Sequence, residues 1–162
     1  MRWKATIGSG DRRCQRPCST PTIPSNERHE PCRRWLTGAF NGPEEVGLSL
    51  VTVLAFLRIA TQRQIWTRPL EISDAITIIR TWIGRTNVRL LGHTAAFWST
   101  LESVAVDADA RGPLLMDAHL AALAMDHGAT IVTTDRDFRR FADVRLVDPT
   151  DGWFDADRPV SP

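Results

Sequence analysis

Three aspartates, Asp117, Asp135 and Asp137, stand in one segment, LLMDAHLAALAMDHGATIVTTDRDF, running from Leu114 to Phe138. Carboxylates are hard oxygen donors, and two or three of them converging on one point make the start of a cation site. Whether these three converge depends on the elements between them.

Leu115 to Asp126 is rich in Ala and Leu and reads as a helix, and His127-Gly128 ends it with a glycine stop. Ala129 to Thr133 reads as a short buried strand, β-branched at Thr130, Ile131, Val132 and Thr133. A helix of roughly 11 residues spans about 16 Å, and a strand of about 5 residues covers a similar distance. Packed antiparallel, the start of the helix and the end of the strand lie at the same edge of the sheet. That edge, beyond the carboxyl ends of parallel strands, is where open α/β sheets bind ligands. At 100° per residue Asp117 shares its face with Leu120, Ala121 and Ala124, while His119 and Asp126 lie opposite. A carboxylate among small apolar residues is costly unless it is paired or bound to a cation. Each acid also has a structural reading. Asp117 suits a first helical turn through the helix dipole, and Asp135 or Asp137 suits the cap of a short helix Arg136–Phe141.

The chain has 162 residues, which suits one domain with a substantial core. No run of about 18 apolar residues is present, so no membrane span is expected, and no apolar run follows the basic N-terminus as a secretory signal requires. The three cysteines all precede residue 33 and do not suggest a disulfide framework, so the expected location is cytoplasmic. The net charge of +1 hides an asymmetry: residues 1–106 carry 14 Lys and Arg against 8 Asp and Glu, whereas residues 107–162 carry 6 against 11. A carboxylate-lined pocket beside an Arg-bearing surface suits a metal-dependent enzyme acting on a phosphodiester polymer, although separated charge is common on ordinary surfaces.

From Val46 onward strands and helices alternate. Val46–Ser49 reads as a strand, 50–60 as a helix, 73–83 as a helix beginning at Ser73-Asp74, Val88–Leu91 as a strand and 94–106 as a helix. The acidic helix and its strand follow, then a short helix and a last strand at Val144–Val147. This alternation predicts an α/β fold with a parallel sheet and helices on both faces. Residues 1–30 fall outside the pattern. They hold three prolines and no apolar run of three, so they are expected to be disordered or aberrant and to contribute no buried strand. Pro31 must sit in the first turn of the next helix or break it.

The stretch DAHLAALAMDHGATIVTTDRDF at 117–138 resembles the C-terminal signature of PIN-domain ribonucleases, specifically the VapC toxins of toxin–antitoxin pairs. In layout the resemblance runs from about Arg33 to Trp153. It implies an α/β/α sandwich in which acidic residues hold Mg²⁺ or Mn²⁺ at the carboxyl edge of the sheet, activating a water that attacks an RNA phosphodiester. By position it assigns Asp117 and Asp135 to the metal and Asp137 as an auxiliary acid, all three catalytic. It also implies a VapB-type antitoxin partner and a homodimer. The family opens with a short apolar strand ending in an Asp, the first metal ligand. Asp11 is the only Asp before Arg33, and GSGDRR around it is not apolar, so the central first strand is expected to be doubtful or absent. Where many members place a Glu in the helix after the second strand, this chain has Ala55. The competing expectations are a PIN-like remnant that has lost its first ligand and at most binds its antitoxin, and a Rossmann-like ligand-binding module whose acids serve as caps. On the enzyme reading, the domain spans 31–153, with 154–162 as a tail.

Other candidates favour structural roles. Cys14, Cys18, His29 and Cys32 are enough in number for a zinc site, but their spacing is not a common one. His93 precedes a helix start and His127 a helix stop, while His119 lies on the polar face and reads as solvated. Phe97 and Trp98 share a helix with Leu101 and read as core. Arg58 and Arg63 follow an apolar helix and read as solvated surface rather than phosphate contacts.

Overall fold

The structure is a computed structural model that describes residues 3–6 and 29–151. Five strands form one parallel sheet in the order β3-β2-β1-β4-β5: β1 Trp3–Thr6, β2 Glu45–Ser49, β3 Val88–Leu91, β4 Thr130–Val132 and β5 Arg145–Val147. The helices are α1 His29–Asn41, α2 Leu50–Ala60, α3 Ile72–Ile83, α4 Phe97–Asp107 and α5 Leu114–Asp126, with a 3₁₀ helix at Arg136–Arg140. Among the described residues no helix is long and apolar enough to cross a membrane.

The expectation of a missing central strand is corrected. Trp3–Thr6 pairs in parallel with β2 on one side and β4 on the other, Ala5 standing opposite Gly47 and Ile131. The sequence WKAT offers no apolar run to read. Its place is set instead by the backbone groups of β2 and β4, which would otherwise face one another unpaired, each buried one costing on the order of 1–3 kcal/mol. Four residues are enough to satisfy both ladders. The remaining residues of the N-terminal segment, Asp11, Cys14 and Cys18 among them, lie outside the described residues, as does the tail beyond Asp151.

Strand alternation divides the core between the two faces of the sheet. Val46, Leu48, Val88 and Val132 pack with Trp35, Ala39 and Phe40 of α1, Val53 of α2 and Ile79 of α3. Ile131 and Leu91 pack on the other face with Phe97 and Val104 of α4 and the alanine-rich α5. The helices thus cover both faces, as the alternation predicts. Pro31 lies in the first turn of α1, where its missing N–H has no intrahelical acceptor to lose. Ser49 ends β2 and caps α2, its Oγ accepting from the Val51 N–H at 3.2 Å. α4 begins at Phe97, three residues later than expected, and the turn before it is closed by Thr94, whose Oγ1 accepts from the Ala96 N–H at 3.2 Å. The Thr94 N–H and Oγ1 both donate to Asp126 at the end of α5, at 3.2 and 2.7 Å.

Placing β1 at the centre is testable. Ala5→Pro removes a ladder donor from a strand paired on both sides and is expected to cost about 3 kcal/mol in urea unfolding. An unchanged unfolding midpoint would mean that Trp3–Thr6 does not occupy the centre of the sheet.

Candidate functional site

The strand order reverses at β1: the chain steps from β1 outward through β2 to β3, then returns to β4 on the other side of β1. Crevices at such a switch point, outside the carboxyl ends of the strands, are the ligand sites of open α/β sheets. The three sequence-selected acids belong to the elements on the β4 side of it.

Asp117 lies in the first turn of α5, which Pro113 precedes and no side chain caps. Leu120, Ala121 and Ala124 are buried as the helical spacing predicts, and Asp117 itself is half-buried. Ala118, Ala122 and Leu123 are buried too, because α4 covers a second face of the helix.

Asp135 and Asp137 are positioned by a chain of backbone constraints running out of β4. The Thr133 N–H donates to the Val147 carbonyl at 2.9 Å, extending the β4–β5 ladder by one residue. The buried Thr133 Oγ1 then accepts from the Asp135 N–H at 3.0 Å, and Asp135 Oδ1 accepts from the Asp137 N–H at 2.9 Å. Asp135 therefore does cap the 3₁₀ helix, as its structural reading holds. That bond uses Oδ1 alone, which leaves Oδ2 and the carboxylate charge for another partner. Thr133 was not singled out from the sequence. Its signal is a short hydroxyl residue two positions before an acid at a strand end, a local turn motif.

The electrostatics show that the three acids share one field. Burial pushes the Asp117 carboxyl from the ordinary 3.8 up to about 6, and the charges of Asp135 and then Asp137 push it the same way. Among the described residues, no three His, Cys, Asp or Glu side chains are clustered closely enough to hold a metal ion by themselves. The donor chemistry nevertheless fits Mg²⁺, which binds through one or two carboxylates and fills its octahedron with water and substrate oxygen. A half-buried carboxylate repelled by two others is the environment that a dication relieves.

Other candidates fall into place around this edge. β1 ends in Thr6 where a PIN-type strand ends in Asp, and Ala55 on α2 carries no acid. His119 is corrected from solvated to packed. Its ring lies edge-on to Phe97 at 5.2 Å and its Nε2 is 3.1 Å from His93 Nε2, because the segment after β3 folds over that face of α5. Trp98 is also corrected, being 75% exposed while its neighbour Phe97 is buried. Adjacent helix positions point about 100° apart, and the core has room for one of them. His127 Nε2 bonds the Gly92 carbonyl at 2.8 Å, a structural role, and Arg58 and Arg63 are exposed. The zinc reading stands apart from these residues, with Cys14, Cys18 and the side chain of His29 outside the described residues.

Comparison with known proteins bears on most of the chain. The PIN-domain family model matches residues 24–144. The chain is 39% identical over 125 residues to the ribonuclease VapC37 of Mycobacterium tuberculosis H37Rv, covering 77% of this chain and 87% of that protein. It is 36% identical over 125 residues to ribonuclease VapC48 of M. tuberculosis CDC 1551, covering 76% and 86%. Among solved structures, a DNA-bound VapBC from Salmonella typhimurium superposes with a TM-score of 0.51 at 20% identity, over 74% of this chain and 85% of that one, a likeness of fold.

The raised Asp117 pKa sets a direction for stability. The folded chain holds this proton more tightly than the unfolded chain does. Stability is therefore unaffected below about pH 4 and is lost as pH rises from there through about 6. Asp117→Asn removes that loss. In metal-free buffer the variant should gain on the order of 1 kcal/mol over the wild-type chain at about pH 7.5, allowing for half-exposure, and nothing at about pH 4. Urea unfolding at the two pH values measures the difference, and equal stabilities at both would show that the carboxyl is unstrained.

Proposed function

Because the chain belongs to the PIN-domain family, we propose that it is a metal-dependent endoribonuclease, the toxin of a VapBC-type toxin–antitoxin module, acting in the cytoplasm. The observation that carries this reading is the placement of Asp117, Asp135 and Asp137 on elements beside the switch point of the sheet, near enough for the charges of the last two to act on the first. Asp117 and Asp135 would hold Mg²⁺ or Mn²⁺, and Asp137 is the auxiliary acid. The cation, when bound, lowers the pKa of a water and offsets charge growing on the phosphate oxygens.

The chain's own residues supply the arrangement. Burial and like charge keep Asp117 from being an ordinary solvated carboxylate, so protons compete for it up to about pH 6. The Thr133 and Asp137 contacts fix the backbone on either side of Asp135, which lowers the entropy lost on binding. The antitoxin partner and the homodimer are part of this proposal, supported by the family. Exposed Leu54 on α2 and Ile72 and Ile76 on α3 offer such a partner apolar surface.

One observation favours a second reading, a remnant that binds antitoxin without cutting RNA. β1 carries Thr6 rather than an acid at its carboxyl end, so the first ligand of the family is not among the described residues. Incubating the purified chain with RNA and Mg²⁺ or Mn²⁺, beside Asp117→Asn, separates the two. The nuclease reading expects cleavage that EDTA abolishes and that falls at least about 100-fold in the variant. A folded chain that binds antitoxin and cuts no RNA with either metal identifies the remnant.

A further inference from the structure

Beside the acids stands a feature that the metal site does not use. The 3₁₀ helix Arg136–Arg140 has the sequence RDFRR, and its period of three sorts the residues onto three faces. Phe138 and Phe141 take the core face, both buried, with ring centroids 6.0 Å apart. Arg136 and Arg139 share a second face, and Asp137 and Arg140 the third. The burial follows that geometry, since Arg136, Asp137, Arg139 and Arg140 are all exposed. Phe138, wholly inaccessible to solvent, anchors the turn, and the Asp135 cap fixes its start.

Three guanidinium groups are thus mounted on a rigid turn within five residues of the metal-site acids, yet they do not neutralise them. Among the described residues the ion pairs are those of Arg33 and Arg34 with Glu30 and of Arg111 with Asp109, and none involves Arg136, Arg139 or Arg140. Cations meant to quiet the acids would sit against them. Here none of the three is ion-paired with an acid and all three face solvent, while an approaching polyanion meets a site of three negative charges.

We propose that Arg136 and Arg139, with Arg140 on the adjoining face, form a phosphate-binding platform that grips the RNA backbone next to the acids and offsets the repulsion between substrate and site. Guanidinium groups suit this task because they stay charged and present paired N–H donors to phosphate oxygens. The choice of RNA as the polyanion rests on the endoribonuclease reading. The three arginines are positioning residues and touch the backbone rather than the bond that breaks.

The test is a binding measurement made without divalent metal, in the Asp117→Asn chain, so that the RNA stays intact. Affinity for a fluorescein-labelled oligouridylate is followed against KCl concentration. Each lost phosphate contact in a single strand lowers the slope of log K against log salt by about 0.7, so Arg136→Gln/Arg139→Gln should lower it by about 1.4 and weaken binding about tenfold at low salt. Arg136→Lys/Arg139→Lys should restore most of the slope, and Arg80→Gln, an exposed arginine on α3, should leave it unchanged. Unchanged thermal unfolding of each variant shows that the turn is intact.

Equal slopes in the glutamine variant and its parent overturn the proposal, as does an equal loss from Arg80→Gln or no RNA binding at all. Binding of polyglutamate that is lost in the glutamine variant while RNA binding persists assigns the platform to an acidic protein segment and also overturns it. The nuclease reading fails separately. A wild-type chain that binds RNA through these arginines and cuts none removes the enzyme but not the platform, and a chain that cuts RNA with unchanged slopes removes the platform alone.

Discussion

Asp117 is a carboxylate half-buried on an alanine-rich helix with two further carboxylates, Asp135 and Asp137, acting on it. In the metal-free chain that arrangement opposes folding, since burial and like charge both disfavour the ionised form. The proposed Mg²⁺ or Mn²⁺ would convert that repulsion into attraction. Much of the neighbouring structure then reads as the means of holding these charges against their preference. Leu120, Ala121 and Ala124 seat α5 on the core, and the α4–α5 packing and the Thr94–Asp126 contacts keep the helix from shifting. The Thr133 turn prevents Asp135 from swinging into solvent with its backbone.

The same constraint bears on β1. The switch point exists because β1 lies between β2 and β4, and without a strand there the sheet would lose the crevice along with two ladders of hydrogen bonds. What β1 supplies is backbone. Its described residues, Trp3–Thr6, place no carboxylate at the edge, and among the described residues the acids of the site are Asp117, Asp135 and Asp137, all from the second half of the chain. That division echoes the charge asymmetry of the sequence, with its excess of acids after residue 106.

Legibility from sequence followed how local each cause is. The bounds of α2 and β3 coincide with those read from periodicity, and α5 and β4 differ by a residue at each end where they differ at all, because apolar spacing and the Gly128 stop are local signals. Asp117 could be placed on the core-facing side from helix geometry alone. The central strand was invisible because WKAT carries no pattern of its own, its position being fixed by the unpaired groups of its neighbours. α4 starts three residues after Thr94 because Thr94, whose Oγ1 accepts from the Ala96 N–H, closes a turn ahead of the helix and is tied to Asp126, 32 residues away. His119 was misread for a related reason: a helical wheel considers one helix, whereas α5 is covered on two faces and His119 meets His93 and Phe97. Phe97 and Trp98 look alike in sequence, and packing alone decides which one is buried.

The most direct measurement of the central claim is an NMR titration of the Asp117 side-chain carboxyl in the metal-free chain, repeated with Mg²⁺. The account predicts a midpoint near 6 without metal, well above the ordinary 3.8, and a fall of at least about one unit when Mg²⁺ is added. A midpoint near 3.8 in the metal-free chain, unmoved by Mg²⁺, would contradict it.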